Sequence, residues 1–296
     1  MKIIPKIKRF CKNPKPYFME LLTIWLSPLF TDRCYIRLLS KIRCGYVFDL
    51  KRPRTFNEKL NWIKLNNRNP LYTKMADKYL AKEYARERIG DEYIVPIYGV
   101  WDKVEDVDFS ALPVPCMLKS NADSCGRIVY RGGQMDTNSI KKKLESQYPF
   151  NYYWQSREWP YKNIKRKIIA EQFLDNGGEI ITDYKFWCFS GEPKIVYMTC
   201  KEGKVFENFY DMDFQPVSID HGFPRRVPEF EKPVQFETMK ELAAKLSQGI
   251  PFVRVDFMMV QGRIWFGECT FFDWGGFQPF GGDWDEKLGE WIKLPE

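Results

Sequence analysis

Histidine is almost missing from this chain, with His221 the only one in 296 residues. The eight cysteines, at 11, 34, 44, 116, 125, 188, 200 and 269, form no Cys-x-x-Cys pair. A zinc site wants clustered Cys and His ligands, so none is expected. A secreted disulfide framework belongs to a smaller, loop-rich chain. Reduced thiols and a cytoplasmic location are the expectation. No apolar run is long enough to span a bilayer. The nearest candidate, Leu21, Leu22, Ile24, Trp25, Leu26, Leu29 and Phe30, is interrupted by Pro28, and no small-residue cleavage site follows it. It reads as a helix that packs on the body or lies on a membrane surface. There is no Gly-Lys-Ser/Thr opening a helix, hence no Walker A loop. RNA-recognition and helix-turn-helix signatures are also missing, so nucleic acid is not an expected partner. No repeat of solenoid period is present.

Apolar residues and aromatic rings are plentiful, at 44% and 17%. They suffice for a sizeable core, and some rings suit a nucleotide or sugar site. The net charge of +7 is concentrated at one end. Residues 1–54 hold 13 of the 46 basic and 3 of the 39 acidic residues, a local balance of +10 that leaves −3 for the rest. A basic arm of this kind meets anionic surfaces such as membrane headgroups, or is a solvated face.

Residues 16–46 read as mostly helical, with Gly45 as C-cap. Thr55 and Glu58 spell a capping box that opens a helix ending near Asn66. A single helix is expected over 71–88, stopped by Gly90. Short strands are expected at 93–101, at 116–119 and at 128–130, the last two forming a hairpin around a polar loop. A helix follows at 137–148, then an aromatic stretch with Tyr152, Tyr153, Trp154, Trp159 and Tyr161. Strands are expected at 168–174, 183–189 and 193–199. A helix at 238–246 precedes a hairpin of 252–258 with 263–268, turning at Gln261-Gly262, and a short helix closes the chain at 285–292. Helices first, then two antiparallel sheets, give an α+β class.

The final hairpin carries the chemistry. Asp256 and Glu268 lie on neighbouring strands where side chains converge on one face. Paired carboxylates repel unless a cation bridges them, and magnesium takes one or two carboxylates plus phosphates. Arg254, two residues before Asp256, shares its strand face. It would neutralise charge in phosphoryl transfer, or form a plain salt bridge on a solvated sheet. Lys119 ends a buried strand before the polar loop Ser120–Arg127, where backbone N–H groups can cradle phosphates.

In this order the pieces resemble the ATP-grasp superfamily, and most closely its TupA-like branch of the teichuronopeptide biosynthesis type. The carriers are TFNEKLNWIKLNNRNPLYTKMADKYLAKEY (55–84), VPIYGVWD (95–102), MLKSNADSCGR (117–127), EWPYKNIKRKIIAEQFL (158–174), DYKFWCFSGEPK (183–194) and PFVRVDFMMVQGRIWFGECTFF (251–272). The resemblance implies an ATP-grasp fold, two α+β subdomains gripping ATP behind a helical N-terminal region. It divides the chain into a basic helical region 1–54, a pre-ATP-grasp segment 55–105, a small subdomain 106–170 and a C-terminal subdomain 171–296 with the metal site. It implies ATP and Mg2+ as ligands. Lys78 and Lys119 match the nucleotide-contacting lysines, and the loop with Ser120 and Gly126 matches the one that closes over the phosphates. Relatives carry more glycine there than Asp123 and Cys125 allow. Glu171, Gln172 and Leu174 fall in the hinge strand that reads adenine, and Glu179 matches the ribose-binding acid. Asp183 and Lys185 resemble the Asp-x-Arg pair of amino-acid ligases. Asp256 and Glu268 match the magnesium ligands, with Thr270 where many relatives carry an Asn ligand.

The branch implies a carboxylate–amine ligase acting through an acylphosphate in cell-surface polysaccharide biosynthesis. An amino acid or peptide would be joined to a glycan, often one bearing a uronic acid. The aromatic stretch suits sugar stacking, and the basic N-terminus suits peripheral contact with the inner membrane face. The alternatives are a glycosyltransferase, for which Asp211-Met212-Asp213 has the metal-pair spelling, a glycan kinase on the same fold, and an ATP-binding module without turnover. His221 reads as structural or acceptor-facing rather than as a catalytic base.

Overall fold

The computed structural model describes residues 14–122, 126–133, 135–146 and 151–295. The basic segment 1–13 and the loop residues Asp123 and Cys125 lie outside the described residues. Thr55 behaves as its neighbours foretell. Its hydroxyl accepts from Glu58 N, and the Glu58 carboxylate accepts from the backbone of Asp49, Arg54 and Thr55, which starts helix Phe56–Asn66.

Two helices precede it, α1 (Pro14–Trp25) and α2 (Asp32–Cys44), in the region 16–46 that reads as mostly helical. Pro28, in the 3-10 turn Ser27–Leu29, cannot extend a helix. α2 ends on Gly45 at φ 83°, a left-handed C-cap. α1 packs the reverse of an ordinary amphipathic helix. Its Thr23 and the following Ser27 are buried, and Glu20 pairs with Arg43 at 2.9 Å. Leu21 and Leu22 face solvent, and Trp25 and Leu29 are 76% and 80% exposed. No helix of the described residues is long and apolar enough to cross a membrane.

The helix expected over 71–88 is two, Leu71–Ala76 and Leu80–Ile89. Asp77 leaves the helical region at ψ 115°, and its Oδ1 accepts from the N–H groups of Tyr79 and Leu80, capping the second helix.

The first sheet has the order β1 (Ile97–Trp101), β4 (Ile168–Gln172), β2 (Cys116–Ser120), β3 (Ile128–Tyr130). Its core holds Leu118, Ile128, Ile168 and Ala170 under Ile140 and Leu144 of helix Thr137–Glu145. The second sheet is six-stranded and antiparallel, with β10 (Arg263–Thr270), β9 (Val253–Val260), β5 (Asp183–Phe189), β6 (Glu192–Glu202), β7 (Lys204–Tyr210) and β8 (Pro216–Val217) in that spatial order. The sequence reading stopped at Thr199. β6 runs on to Glu202 and turns at Gly203, φ 71°, into β7. Helix Phe236–Ser247 covers one face of this sheet, with Phe236 against Phe186 at 5.9 Å.

The aromatic stretch is used largely for packing. Buried Arg157 lies 4.1 Å from the Tyr35 ring and donates to the carbonyls of Ser27 and Phe30, and Trp159 stacks on Tyr72. Asp211 serves a turn: its Oδ1 accepts from the N–H groups of Asp213 and Gln215 at 3.0 and 2.7 Å.

Candidate active site

Strand pairing lays out the site row by row. On one face of the second sheet, Glu268, Asp256, Lys185, Tyr197 and Phe209 are successive partners across five strands. Beside them run Met258, Asp183, Thr199 and Glu207. Glu268 joins its row only because β10 bulges between Phe266 and Glu268. Skipping one residue reverses the in–out alternation, so Glu268 and Thr270 turn to the Asp256 face. The skipped residue is Gly267, where a Cβ would come within 3.0 Å of the Asp256 carbonyl oxygen.

This face and the first sheet enclose a cleft of about 260 Å³. The second sheet lines it with Asp183, Lys185, Asp256, Met258 and Glu268. The first sheet and its loops contribute Met117, Lys119, Arg127, Glu171, Gln172 and Leu174, and Lys78 enters from the break between its two helices. Lys78 is held there by its neighbours. Its N–H donates to the Asn121 carbonyl, while Asn121 Nδ2 donates to Asp77 Oδ2 at 2.7 Å.

The charges are densely paired. Arg254 donates through Nε and Nη2 to both oxygens of Asp256 at 2.7 Å, through Nη1 to Asp273 at 2.6 Å, and through Nη2 to Glu268 at 3.2 Å. Lys185 reaches Asp256 at 3.2 Å and Asp183 at 3.6 Å, and Lys78 reaches Glu268 at 2.7 Å. Burial pushes the Glu268 pKa up, but Lys78, Arg254 and Lys185 outweigh it and hold the carboxyl far below its ordinary range. Burial acts on Lys185 in the opposite sense, and Asp256 and Asp183 overcome it to keep the ammonium charged. At the far wall, Glu171 is bound by Lys119 and by Lys82, the latter at 3.1 Å. Burial works to raise the Glu171 pKa, and the two lysines bring it below the usual value. Lys82 itself, buried, is lowered to about 8 despite Glu171.

Three expected residues stand apart. Strand alternation turns Ser120 away from Lys119, fully buried, with its hydroxyl accepting from Ala122 N. Glu179 is exposed on the loop after β4. Thr270 lies two pairs beyond Glu268, opposite Arg254. Gly126 precedes the cleft residue Arg127. Lys82, Asp273 and the Asp77–Asn121 clasp were missed. Only the Asp-Trp-Gly-Gly turn at 273–276, rich in glycine after a strand, hinted at one of them.

Asp256 and Glu268 share one guanidinium nitrogen and present oxygen donors, and Glu268 is held as a carboxylate. That donor set fits magnesium, which needs only one or two carboxylates when phosphates supply the rest. Among the described residues no group of three or more His, Cys, Asp or Glu could hold a metal.

Two antiparallel sheets closing on a cleft with paired lysines and carboxylates define an ATP-grasp architecture. The TupA-like ATPgrasp family matches residues 58–293, and the chain belongs to it. Several solved structures are similar. The D-alanine–D-alanine ligase of Bacillus anthracis, complexed with ATP, is 15% identical, with 67% of this chain and 53% of that one covered and a TM-score of 0.39. The ATP-grasp ligase PsnB, complexed with a phosphomimetic variant of its minimal precursor, Mg and ADP, gives 10%, 79%, 63% and 0.45. The N5-carboxyaminoimidazole synthase of Aspergillus clavatus, complexed with ADP and its ribonucleotide, gives 16%, 82%, 56% and 0.39. The chain thus spans between about half and two thirds of the length of these proteins. No curated protein matches it.

Proposed function

We propose that the protein is an ATP- and Mg2+-dependent carboxylate–amine ligase that acts through an acylphosphate. The observation that carries this reading is the cleft itself, with Asp256 and Glu268 on one wall and the Lys119–Glu171–Lys82 cluster on the other. Lys78 and Lys119 would take ATP phosphates, exchanging their present carboxylate partners for phosphate oxygens. Glu171, Gln172 and Leu174 would border the adenine, and Glu179 the ribose once its loop closes. Asp256 and Glu268, with Thr270 alongside, would hold magnesium, which would supply positive charge to neutralise the ATP phosphates. Arg254 keeps both carboxylates aligned and would meet charge on the transferred phosphoryl group. Asp183 and Lys185 would face the substrate carboxylate. Its oxygen attacks the γ-phosphorus and ADP leaves. An amine then attacks the acyl carbon and phosphate leaves.

The subdomain boundaries 1–54, 55–105, 106–170 and 171–296 belong to this proposal, although the small sheet takes β1 from the 55–105 segment and β4 runs across the 170/171 boundary. So does a role in cell-surface polysaccharide assembly, in which an amino acid or peptide is joined to a uronic-acid-bearing glycan. The outward apolar side of α1, next to a segment with six basic and no acidic residues over 1–17, supports peripheral contact with an anionic membrane face.

One assay tests the reading. The full chain is incubated with ATP, magnesium and candidate carboxylates and amines, and products are identified by mass. ADP, phosphate and an amide are expected. ADP with a phosphorylated glycan would assign a kinase instead, and consumption of a nucleotide sugar without ATP use would sink the ligase.

A further inference from the structure

A second cavity, of about 340 Å³, opens on the same face of the six-stranded sheet as the cleft. Register fixes the relation. Asp183, in the cleft, pairs with Thr199, and Thr199 pairs with Glu207, which lines the second cavity. Thr199 donates to Asp183 at 3.3 Å. Two strand spacings, roughly 10 Å, therefore separate the cleft's acid from the cavity's. A buried polar chain also joins them. Arg254 bonds Asp273, His221 Nε2 stands 4.0 Å from Asp273, and His221 Nδ1 meets Glu207 at 2.9 Å.

The cavity is built, not incidental. His221 and Glu207 are both buried, and among the described residues His221 Nε2 has no hydrogen-bond partner. The wall formed by 218–226 is tied to β7, with Arg226 N donating to Asn208 Oδ1 at 2.7 Å and Glu207 N to the Pro224 carbonyl at 3.0 Å. Half-exposed Trp274, held at φ 50°, packs on Phe223 and His221 at 5.9 and 5.4 Å. A bulky residue in the left-handed region is strained, and such strain gathers at binding sites.

The lining combines the aromatic residues Phe209, Phe223 and Trp284 with the acids Glu207, Asp220 and Asp283 and the base Arg225. Flat apolar faces accept the C–H side of a sugar, and carboxylates accept its hydroxyl hydrogens. The volume falls at the small end of ligand pockets. We propose that this cavity binds a carbohydrate unit and presents it to the cleft along the shared sheet face. The proposal rests on the ligase reading for its direction, since it makes the cavity the glycan subsite of that reaction.

Saturation-transfer NMR on the full chain tests it. The probes are D-glucuronic acid, D-galacturonic acid, N-acetyl-D-glucosamine and, as an amine control, L-lysine, each at millimolar concentration. Transfer to at least one sugar is expected, and it should fall at least fivefold in Phe223→Ala and in Asp220→Ala. ADP binding, followed by calorimetry on the same samples, should stay unchanged in both variants. Transfer to lysine alone, to no sugar, or undiminished in both variants overturns the proposal. Loss of ADP binding in the parent chain would overturn the nucleotide reading instead, independently of the sugar result. Melting curves confirm folding, and Phe223, being partly exposed, supplies a variant that does not empty the core.

Discussion

Gly267 decides where Glu268 points. Without a Cβ it lets β10 slip past the Asp256 carbonyl, and the slip carries Glu268 to the cleft. The pair Asp256–Glu268 was legible in the sequence as two acids converging on one face of adjacent strands, but the bulge that brings this about was not. Asp273 was invisible for another reason. It lies beyond the hairpin and reaches Arg254 only through the turn at 273–276. Lys82 was hidden in a helix, and its partnership with Glu171 spans 89 residues of sequence. Replacing Glu268→Gln keeps the shape and one hydrogen-bond acceptor while removing the charge that pairs with Lys78 and that the proposed magnesium site would use. Magnesium-dependent ATP turnover should fall about 10²–10³-fold with the fold retained. Steady-state ADP release and far-UV melting check this, and a variant within about twofold of the parent would remove Glu268 from the metal site.

Among elements, the break at Asp77 and the reversed helix α1 matter most. Apolar spacing over 71–88 reads as one helix, because periodicity is blind to a side chain that caps from within. Asp77 ends one helix and starts the next, and Asn121 on another element fixes the break, so Lys78 projects into the cleft. α1 is the opposite case: its apolar residues were plain in the sequence, and only the structure shows Met19, Leu21, Leu22 and Trp25 facing outward. Trp and Leu at an interface next to basic residues favour an anionic bilayer. The full chain should float with vesicles of phosphatidylcholine and phosphatidylserine at 3:1, and less with pure phosphatidylcholine. The double variant Trp25→Ser, Leu29→Ser should lower the bound fraction at least threefold and leave ADP binding unaltered. Floatation equal to the parent's, or a dimer broken by the same variant, would rule out the membrane contact.

At the scale of the whole molecule, buried carboxylates set the response to acid. Glu171, Glu268 and Asp273 each titrate below their ordinary values of 4.5, 4.5 and 3.8 because neighbouring cations outweigh burial. A depressed carboxyl pKa contributes stability above the unfolded value, and that contribution is lost as pH falls through the folded one. Lys185, raised above 10.5, contributes below that pH and loses only in strong alkali. Burial raises the pKa values of Glu158 and Asp77, which act in the opposite sense above the ordinary carboxyl range, so the melting temperature should drop steeply only below pH ~4.5. A scanning fluorimetry series in buffers of matched ionic strength measures it, and a melting temperature that holds or rises below pH ~4.5 would contradict these pairings.

The sequence by itself determined the α+β class, the capping box at Thr55, most strands, the two hairpins and the carriers of the ATP-grasp resemblance. These depend on side-chain period and turn chemistry, which are local. The tertiary structure decided how Glu268 reaches the Asp256 face, that Arg254 clamps three carboxylates, that Lys82 joins Glu171, and that β7 extends the sheet to a second cavity. Those outcomes depend on register, on a one-residue bulge and on charges brought together from distant segments. Their energies exist only once the sheets have closed and water has left the cleft.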